Sequence, residues 1–177
     1  MIFEKTAVDG ALLIRPERLS DDRGFFARTY CVRELTAAGL DPRVVQRSIS
    51  YNKSRGTLRG MHYQAAPHEE NKLVSCSRGA IYDVVLDLRP QSPTFRRWHA
   101  ATLSDQNFEA LFIPKGCAHG FLTLADEAVV QYDISEFHQP EAARGYRYDD
   151  PAFRIDWPFA PAVINARDLG YPPYVPA

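Results

Sequence analysis

The sequence has little cysteine, no long apolar run and no excess of charge of either sign. Its three cysteines, Cys31, Cys76 and Cys117, form no C-x-x-C zinc pair and no even-numbered disulfide framework. We therefore expect reduced thiols and a cytoplasmic protein. No stretch approaches the ~20 apolar residues of a membrane span. The N-terminus also lacks a basic region followed by an apolar segment, so neither a membrane anchor nor a signal peptide is expected.

The charge balance argues against a nucleic-acid-binding protein. The chain has 21 Lys+Arg against 22 Asp+Glu, a formal net charge of -1, whereas nucleic-acid-binding proteins normally carry a strong positive excess. No nucleic-acid partner is therefore expected. Apolar residues make up 45% and charged residues 24%, as is typical of globular proteins. Without repeats, low-complexity tracts or linkers, residues 1–177 are expected to form one domain with its own core.

Short apolar segments separated by Gly/Pro turns dominate the middle of the chain. One helix is predicted, over residues 32–38 before the helix-ending Gly39. This pattern indicates an all-β jelly-roll barrel and not an alternating α/β sheet. Seven of the 13 prolines fall from Pro140 onward, which predicts a proline-broken tail that wraps over another part of the protein, since proline resists both helix and central strand. The predicted strands cover residues 72–76, 80–88, 97–103, 110–113, 120–124 and 128–134.

Most residues able to carry chemistry lie in two segments, 56–72 and 113–121. A glycine and His62 in the first, followed by Pro-x-Gly-x-x-His in the second, resemble the two-part signature of cupins, which are small jelly-roll barrels. Many cupins bind a metal through H-x-H, but here the second histidine is replaced by Gln64. We therefore expect no metal. A metal-dependent cupin, either a dioxygenase or a sugar isomerase, remains an alternative if His62, His119 and Glu69 or Glu70 converge on one ion.

The resemblance becomes closer when further collinear motifs are included, over roughly residues 5 to 170. Together they resemble the dTDP-4-dehydrorhamnose 3,5-epimerase family. The resemblance implies a cupin-like jelly-roll β-barrel with a few short peripheral helices and no cofactor. It also implies a homodimer in which the N-terminal region of one subunit reaches the pocket of the other. The motifs are DRGFF (22–26), GTLRGMHYQ (56–64), DVVLDLR (83–89), SPTF (92–95), IPKGCAHGF (113–121) and DDP (149–151).

Inverting a carbon beside a ketone requires a base, an acid on the opposite face, and a cation for the enolate oxygen. His62 suits the base because imidazole titrates near neutral pH. Lys72 begins an apolar strand, from which its ammonium can reach into the barrel and hold an enolate in a low dielectric. The resemblance assigns Asp168 as the carboxylate that holds the ring of His62, and Tyr132 as the acid.

Substrate contacts follow from the same resemblance. Arg23 and Arg59 occupy positions associated with the pyrophosphate, and the arginine fork suits phosphate oxygens. Phe26 is expected to offer a ring to the base or sugar, Gln46 a polar contact, and His119 a place in the pocket wall.

Other histidines and two departures from the family pattern leave the reaction partly open. His99 and His138 match no motif and are expected to be structural, whereas His68 is undecided as a pocket-rim residue. Arg28 stands where family members often have Glu, and His138 where many have Tyr. The nucleotide and the number of inverted centres therefore stay open, with a C3-only epimerase as one alternative. A non-catalytic sugar- or nucleotide-binding module is another.

Overall fold

The computed structural model describes residues 1–175, and within them the regular structure is mostly β-strand. The strands are β1 (Ile2–Lys5), β2 (Leu12–Arg15), β3 (Arg18–Asp21), β4 (Gly24–Ala27), β5 (Gln46–Asn52), β6 (Leu58–Gln64), β7 (Lys72–Arg78), β8 (Ala80–Asp87), β9 (Trp98–Ser104), β10 (Ala110–Ile113), β11 (Cys117–Thr123), β12 (Ala128–Ile134) and β13 (Ala143–Gly145). The helices are α1 (Val32–Ala37) and α2 (Ala166–Leu169), and a 3₁₀ turn covers Pro140–Ala142. Neither helix has the length or apolar character needed to cross a membrane.

Two antiparallel sheets face each other. The larger has six strands in the order β1-β2-β10-β7-β12-β5, and the smaller has five in the order β13-β6-β11-β8-β9. The β3–β4 hairpin forms a separate two-stranded sheet. This arrangement confirms the expected cupin-like, all-β fold with short peripheral helices. The predicted strands are all present, although β9 and β11 are displaced by one to three residues from the predicted 97–103 and 120–124.

The main core fills the space between the sheets, and the alternation along β8 shows how the sequence directs it. Ile81 and Val85 face the core between the sheets, whereas Val84 and Leu86 face outward. Side chains that alternate across a strand must reach opposite faces of the sheet, so β8 is apolar on both sides. Each such buried side chain contributes roughly 1.5–3 kcal/mol.

The proline-rich tail wraps over the rest of the chain, as predicted, and the surface that it covers is the outward face of the smaller sheet. Phe153 is buried there against Val84 and Leu86, and Trp157 and Tyr174 pack around it. The tail then continues into α2 near the end of the described chain. Because the tail lies along β6, it brings a residue from the C-terminal region beside the middle of the barrel.

Candidate active site

A cavity of about 420 Å³ opens between the two sheets. This volume lies within the range of small-molecule sites, roughly 300–1,000 Å³. Its walls come from both sheets, so distant parts of the sequence meet there. The lining residues are Gln46, Ser48, Ser50, Arg59, His62, Tyr63, Gln64, Glu70, Lys72, His119, Phe121, Tyr132, Ile134, His138, Ala143, Arg144 and Arg167.

His62, on β6, is held by Asp168 from α2. The His62 Nε2 and Asp168 Oδ1 atoms are 2.7 Å apart, although the residues are 106 positions apart in the chain. Asp168 is 1% exposed, and its second carboxylate oxygen accepts the Gly60 N–H at 3.1 Å. Because a carboxylate can only accept, Nε2 carries the proton and Nδ1 is left free to act as a base. The structure thus brings together the two residues that the resemblance pairs.

Near His62, strand β6 approaches the neighbouring strand β11 unusually closely. A Cβ on Gly60 would lie 2.5 Å from the Gly120 Cα, so this contact requires glycine. Gly60 also has a φ of +145°, which L side chains rarely adopt. The register between β6 and β11 shifts at this point, and His62 lies directly opposite His119. Both imidazoles therefore share one face of the sheet and line the same cavity.

His119 has a carboxylate partner that sequence reasoning missed. Its Nε2 lies 2.7 Å from Asp83 Oδ1, and both side chains are buried. Asp83 belongs to the DVVLDLR motif, on the same face of β8 as Ile81 and Val85. An acidic residue on the apolar, inward face of a strand was the available signal, since a buried carboxylate requires a partner.

Tyr132, on β12, lies across the cavity beside His119. The two ring centroids are 6.0 Å apart and the rings are nearly perpendicular, at 78°. Burial raises the pKa of Tyr132, and the charge of Asp83 raises it further, while a hydrogen bond with Ser50 and the charge of Arg59 act in the opposite direction. The net shift is upward, so the phenol keeps its proton at neutral pH.

Lys72 places its ammonium inside the cavity wall. The residue is 8% exposed, and its Nζ lies 3.0 Å from Glu70 Oε1 and 3.4 Å from the carbonyl oxygen of His62. Glu70 was predicted only as a metal-ligand alternative, yet here it balances the lysine. A buried ammonium near His62 can stabilise negative charge that develops on a bound molecule.

The remaining wall is rich in cations and polar groups. Arg59 is oriented by Asn52, whose Oδ1 accepts from Nε at 2.8 Å. Gln46 lines the cavity and accepts the backbone N–H of His138 at 2.6 Å. Arg144 and Arg167 also line it and were not predicted. Arginine clusters of this kind match the negative charge of phosphates.

Of the other three histidines, one lines the cavity and two do not. His138 lines the cavity, and its expected structural role stays a prediction. His99 and His68 are not among the lining residues. Burial lowers the pKa of His99. The backbone carbonyl of His68 accepts from Gln64.

Arg23 and Phe26 lie on the β3–β4 hairpin and do not line the cavity of their own chain. The Arg23 side chain is 90% exposed and pairs with Asp21, and Phe26 is 68% exposed. An apolar ring left this open to solvent, beside an exposed arginine, is a feature of interaction surfaces.

The metal-dependent alternative requires several ligands around one ion. Within residues 1–175, no group of three or more His, Cys, Asp or Glu side chains is arranged in this way. His62 and His119 each bind a separate carboxylate, and Glu70 binds Lys72. Gln64, at the broken H-x-H position, instead donates to the carbonyls of His68 and Phe137. Its amide therefore holds two loops together.

Comparison with known proteins gives a consistent result. A sequence model described as dTDP-4-dehydrorhamnose 3,5-epimerase matches residues 5–175. The dTDP-4-dehydrorhamnose 3,5-epimerase of Methanothermobacter thermautotrophicus is 42% identical over 174 residues, covering 97% of this chain and 93% of the relative. The dTDP-4-dehydrorhamnose 3-epimerase of Streptomyces niveus is 37% identical, covering 95% of this chain and 81% of the relative. The crystal structure of dTDP-4-dehydrorhamnose 3,5-epimerase from Elizabethkingia anophelis superposes with a TM-score of 0.94 at 34% identity, covering 98% of this chain and 96% of the other.

Proposed function

We propose a mechanism on the premise that the chain belongs to the dTDP-4-dehydrorhamnose 3,5-epimerase family. The protein is an isomerase of the epimerase class, acting on a nucleotide-linked 4-keto-6-deoxyhexose in deoxysugar biosynthesis of the rhamnose type. One observation carries the mechanism: an imidazole, a phenol and a buried ammonium line the same cavity. The proton beside the ketone leaves from one face, and another proton arrives from the opposite face.

His62 is the base in this mechanism. Its Nε2–H is held by Asp168, so Nδ1 removes the proton from the carbon beside the ketone. The carboxylate fixes this tautomer and stabilises the imidazolium that forms, as in other His–Asp pairs. General base catalysis of this kind typically contributes about 10²–10⁴-fold.

Lys72 stabilises the enolate. Removing the proton moves negative charge onto the ketone oxygen, and an ammonium in a water-poor wall attracts that charge more strongly than it would in bulk water. Glu70 keeps the Lys72 side chain in place at 3.0 Å. No cofactor takes part in this scheme, because the ketone itself accepts the electron pair.

Tyr132 is the acid that delivers the new proton. Its raised pKa keeps the phenol protonated until a strongly basic carbanion is available. Arg59, Gln46 and His119 bind the substrate, and Arg144 and Arg167 add positive charge for the diphosphate. The proposed partner is thus a nucleotide-diphosphate sugar. We place the reaction in the cytoplasm, consistent with three unpaired cysteines.

The test of this function is solvent exchange. In heavy water, the wild-type protein should introduce deuterium at C3, or at both C3 and C5, of dTDP-4-keto-6-deoxyglucose, as followed by NMR. His62→Asn should abolish the exchange, while the matched control His99→Asn, a histidine outside the cavity wall, should retain it. Label at C3 alone would identify a C3-only epimerase. Failure to label any 4-keto sugar nucleotide would refute the function and favour a binding module.

The metal-dependent alternative has its own test. Elemental analysis of the active protein, followed by incubation with a chelator, should leave the exchange rate unchanged. Exchange that disappears with the chelator and returns with a divalent ion would favour the metal-dependent cupin.

The hairpin residues Arg23 and Phe26 act, in this proposal, on the neighbouring subunit of a homodimer. Their exposure in the single chain supports this, since neither lines the cavity of its own chain. Mixing inactive His62→Asn protein with Arg23→Ala protein should then restore activity, because the hybrid dimer has one site with both residues intact. After random exchange, half the dimers are hybrids, so about a quarter of the wild-type activity is expected. No recovery would show that each chain completes its own site.

A further inference from the structure

His119 in the cavity wall and Asp83 behind it form a second carboxylate–imidazole pair, more buried than the first. Asp83 is 0% exposed and His119 is 4% exposed. Oδ1 of Asp83 accepts from His119, while its Oδ2 has no hydrogen-bond partner within residues 1–175. A buried carboxylate that is satisfied on one side only is costly to desolvate. Its negative charge is offset most fully when His119 is an imidazolium.

This pair lies against the proposed acid. The groups that face Tyr132 come from four strands: Ser50 on β5, Arg59 on β6, Asp83 on β8 and His119 on β11. His119 touches the Tyr132 ring edge to face, with centroids 6.0 Å apart. At this centroid separation one water can bridge the imidazole and the phenol oxygen.

The proton balance of an inversion shows that Tyr132 needs a proton donor, which the Asp83–His119 pair can supply. Each inversion leaves His62 with one proton more and Tyr132 with one fewer. The His62 side chain is 38% exposed, so it can return its proton to solvent. Tyr132 lines the cavity but is partly buried against the main core, and its phenolate must regain a proton before the next inversion. The burial and negative charge that hold the proton on the phenol also make the phenolate a strong base, so it takes a proton readily.

We propose that His119, held by Asp83, returns the proton to Tyr132 after each inversion. The Nδ1–H bond of the His119 imidazolium breaks and the Oη–H bond of Tyr132 forms, which leaves a neutral imidazole. Water in the cavity then protonates His119 again. Asp83 is a positioning residue, because it acts only through His119. The inference rests on the proposed role of Tyr132 as the acid.

The experiment compares the first inversion with later ones. Saturating dTDP-4-keto-6-deoxyglucose in heavy water is mixed with His119→Asn or Asp83→Asn protein and quenched at short times, and labelled inverted carbons are counted per subunit. Asp83→Asn, at a residue that does not line the cavity, should show one fast inversion per site, within about tenfold of the wild-type rate, followed by turnover about 10²-fold slower. His119→Asn also removes a substrate contact, so its first inversion should slow as well. For this variant the test is whether later inversions are slower than its own first one by about 10²-fold. Added imidazole should accelerate the slow phase. Wild type and the His99→Asn control should show no such break.

Several outcomes would overturn the inference. Equal losses in the first and later inversions would make the pair a substrate-positioning device only. Unchanged later turnover would show that water reprotonates Tyr132, or that a second inversion with exchanged roles resets it. Asp83→Asn is nearly isosteric, so it carries the test if His119→Asn does not fold, as checked by circular dichroism. Absence of inversion in the wild type would refute the proposed function itself, a result distinct from these.

Discussion

Replacing Asp168 with asparagine tests how much the base depends on its carboxylate. The His62 Nε2 to Asp168 Oδ1 distance of 2.7 Å places the charge centres of an imidazolium and a carboxylate about 4 Å apart. At an effective dielectric near 20, that separation corresponds to about 4 kcal/mol. The His62 side chain is 38% exposed, so we halve this value for the lower bound, which gives about 2–4 kcal/mol. At 1.36 kcal/mol per decade, kcat should fall about 30- to 1000-fold.

The asparagine also affects the tautomer. Its amide nitrogen can donate to Nε2, which moves the ring proton to Nδ1, the atom that must act as the base. We expect KM to change little, because Asp168 does not line the cavity. Initial rates measured by NMR, with a fold check by circular dichroism, give both parameters.

The matched control is Asp150→Asn. Asp150 is a buried carboxylate of the same tail that accepts the backbone N–H groups of Ala152 and Tyr174 and does not line the cavity. It should retain activity within about twofold. An Asp168→Asn protein as active as this control would refute the assignment of His62 and Asp168 as a working pair.

Two further predictions concern the lysine and acid stability. Lys72→Met should lower kcat about 10²–10³-fold and, by leaving Glu70 unpaired, lower the free energy of unfolding by about 3 kcal/mol. Adding Glu70→Gln to this variant should restore stability, as measured by urea denaturation, but not activity. Recovery of activity in the double variant would exclude the enolate role of Lys72. Burial acts to raise the pKa of Asp87, but hydrogen bonds from Arg89, Ser92 and Thr94 outweigh it and lower this pKa to about 2. Because the folded-state pKa lies below the unfolded value, the unfolded state binds more protons between pH 4 and pH 2, and about 2 kcal/mol of stability is lost as the pH falls through that range. Asp87→Asn should flatten this part of the profile, and an unchanged slope would contradict the assignment.

The sequence predicts local features of this chain better than long-range ones. The alternation along residues 80–88 is one such local feature: Ile81 and Val85 share one face, because the side-chain period of a strand is fixed by its backbone. The ends of β9 and β11 are less predictable, since a ladder ends where its partner strand ends.

The site itself is assembled from segments that no local pattern connects. His62 stands out within its motif, but its contact with Asp168 spans 106 residues and was expected only through family resemblance. Asp83 was overlooked because its partner, His119, is 36 residues away on the neighbouring strand. Arg144 lies in the three-residue strand β13 and Arg167 in the four-residue helix α2, and elements this short show too little sequence periodicity to predict which way a side chain points. Arg23 and Phe26 lie outside the cavity of their own chain, and the role proposed for them in a neighbouring subunit stays a prediction.

The central claim is that protons leave and arrive on opposite faces of the substrate through two different residues. Tyr132→Phe protein in heavy water tests it most directly, by NMR of both label and configuration at the carbons beside the ketone. We predict deuterium with retained configuration, because His62 still removes the proton and returns a deuteron to the same face, with inversion reduced at least about 10²-fold. Inversion at the wild-type rate in this variant would contradict the claim.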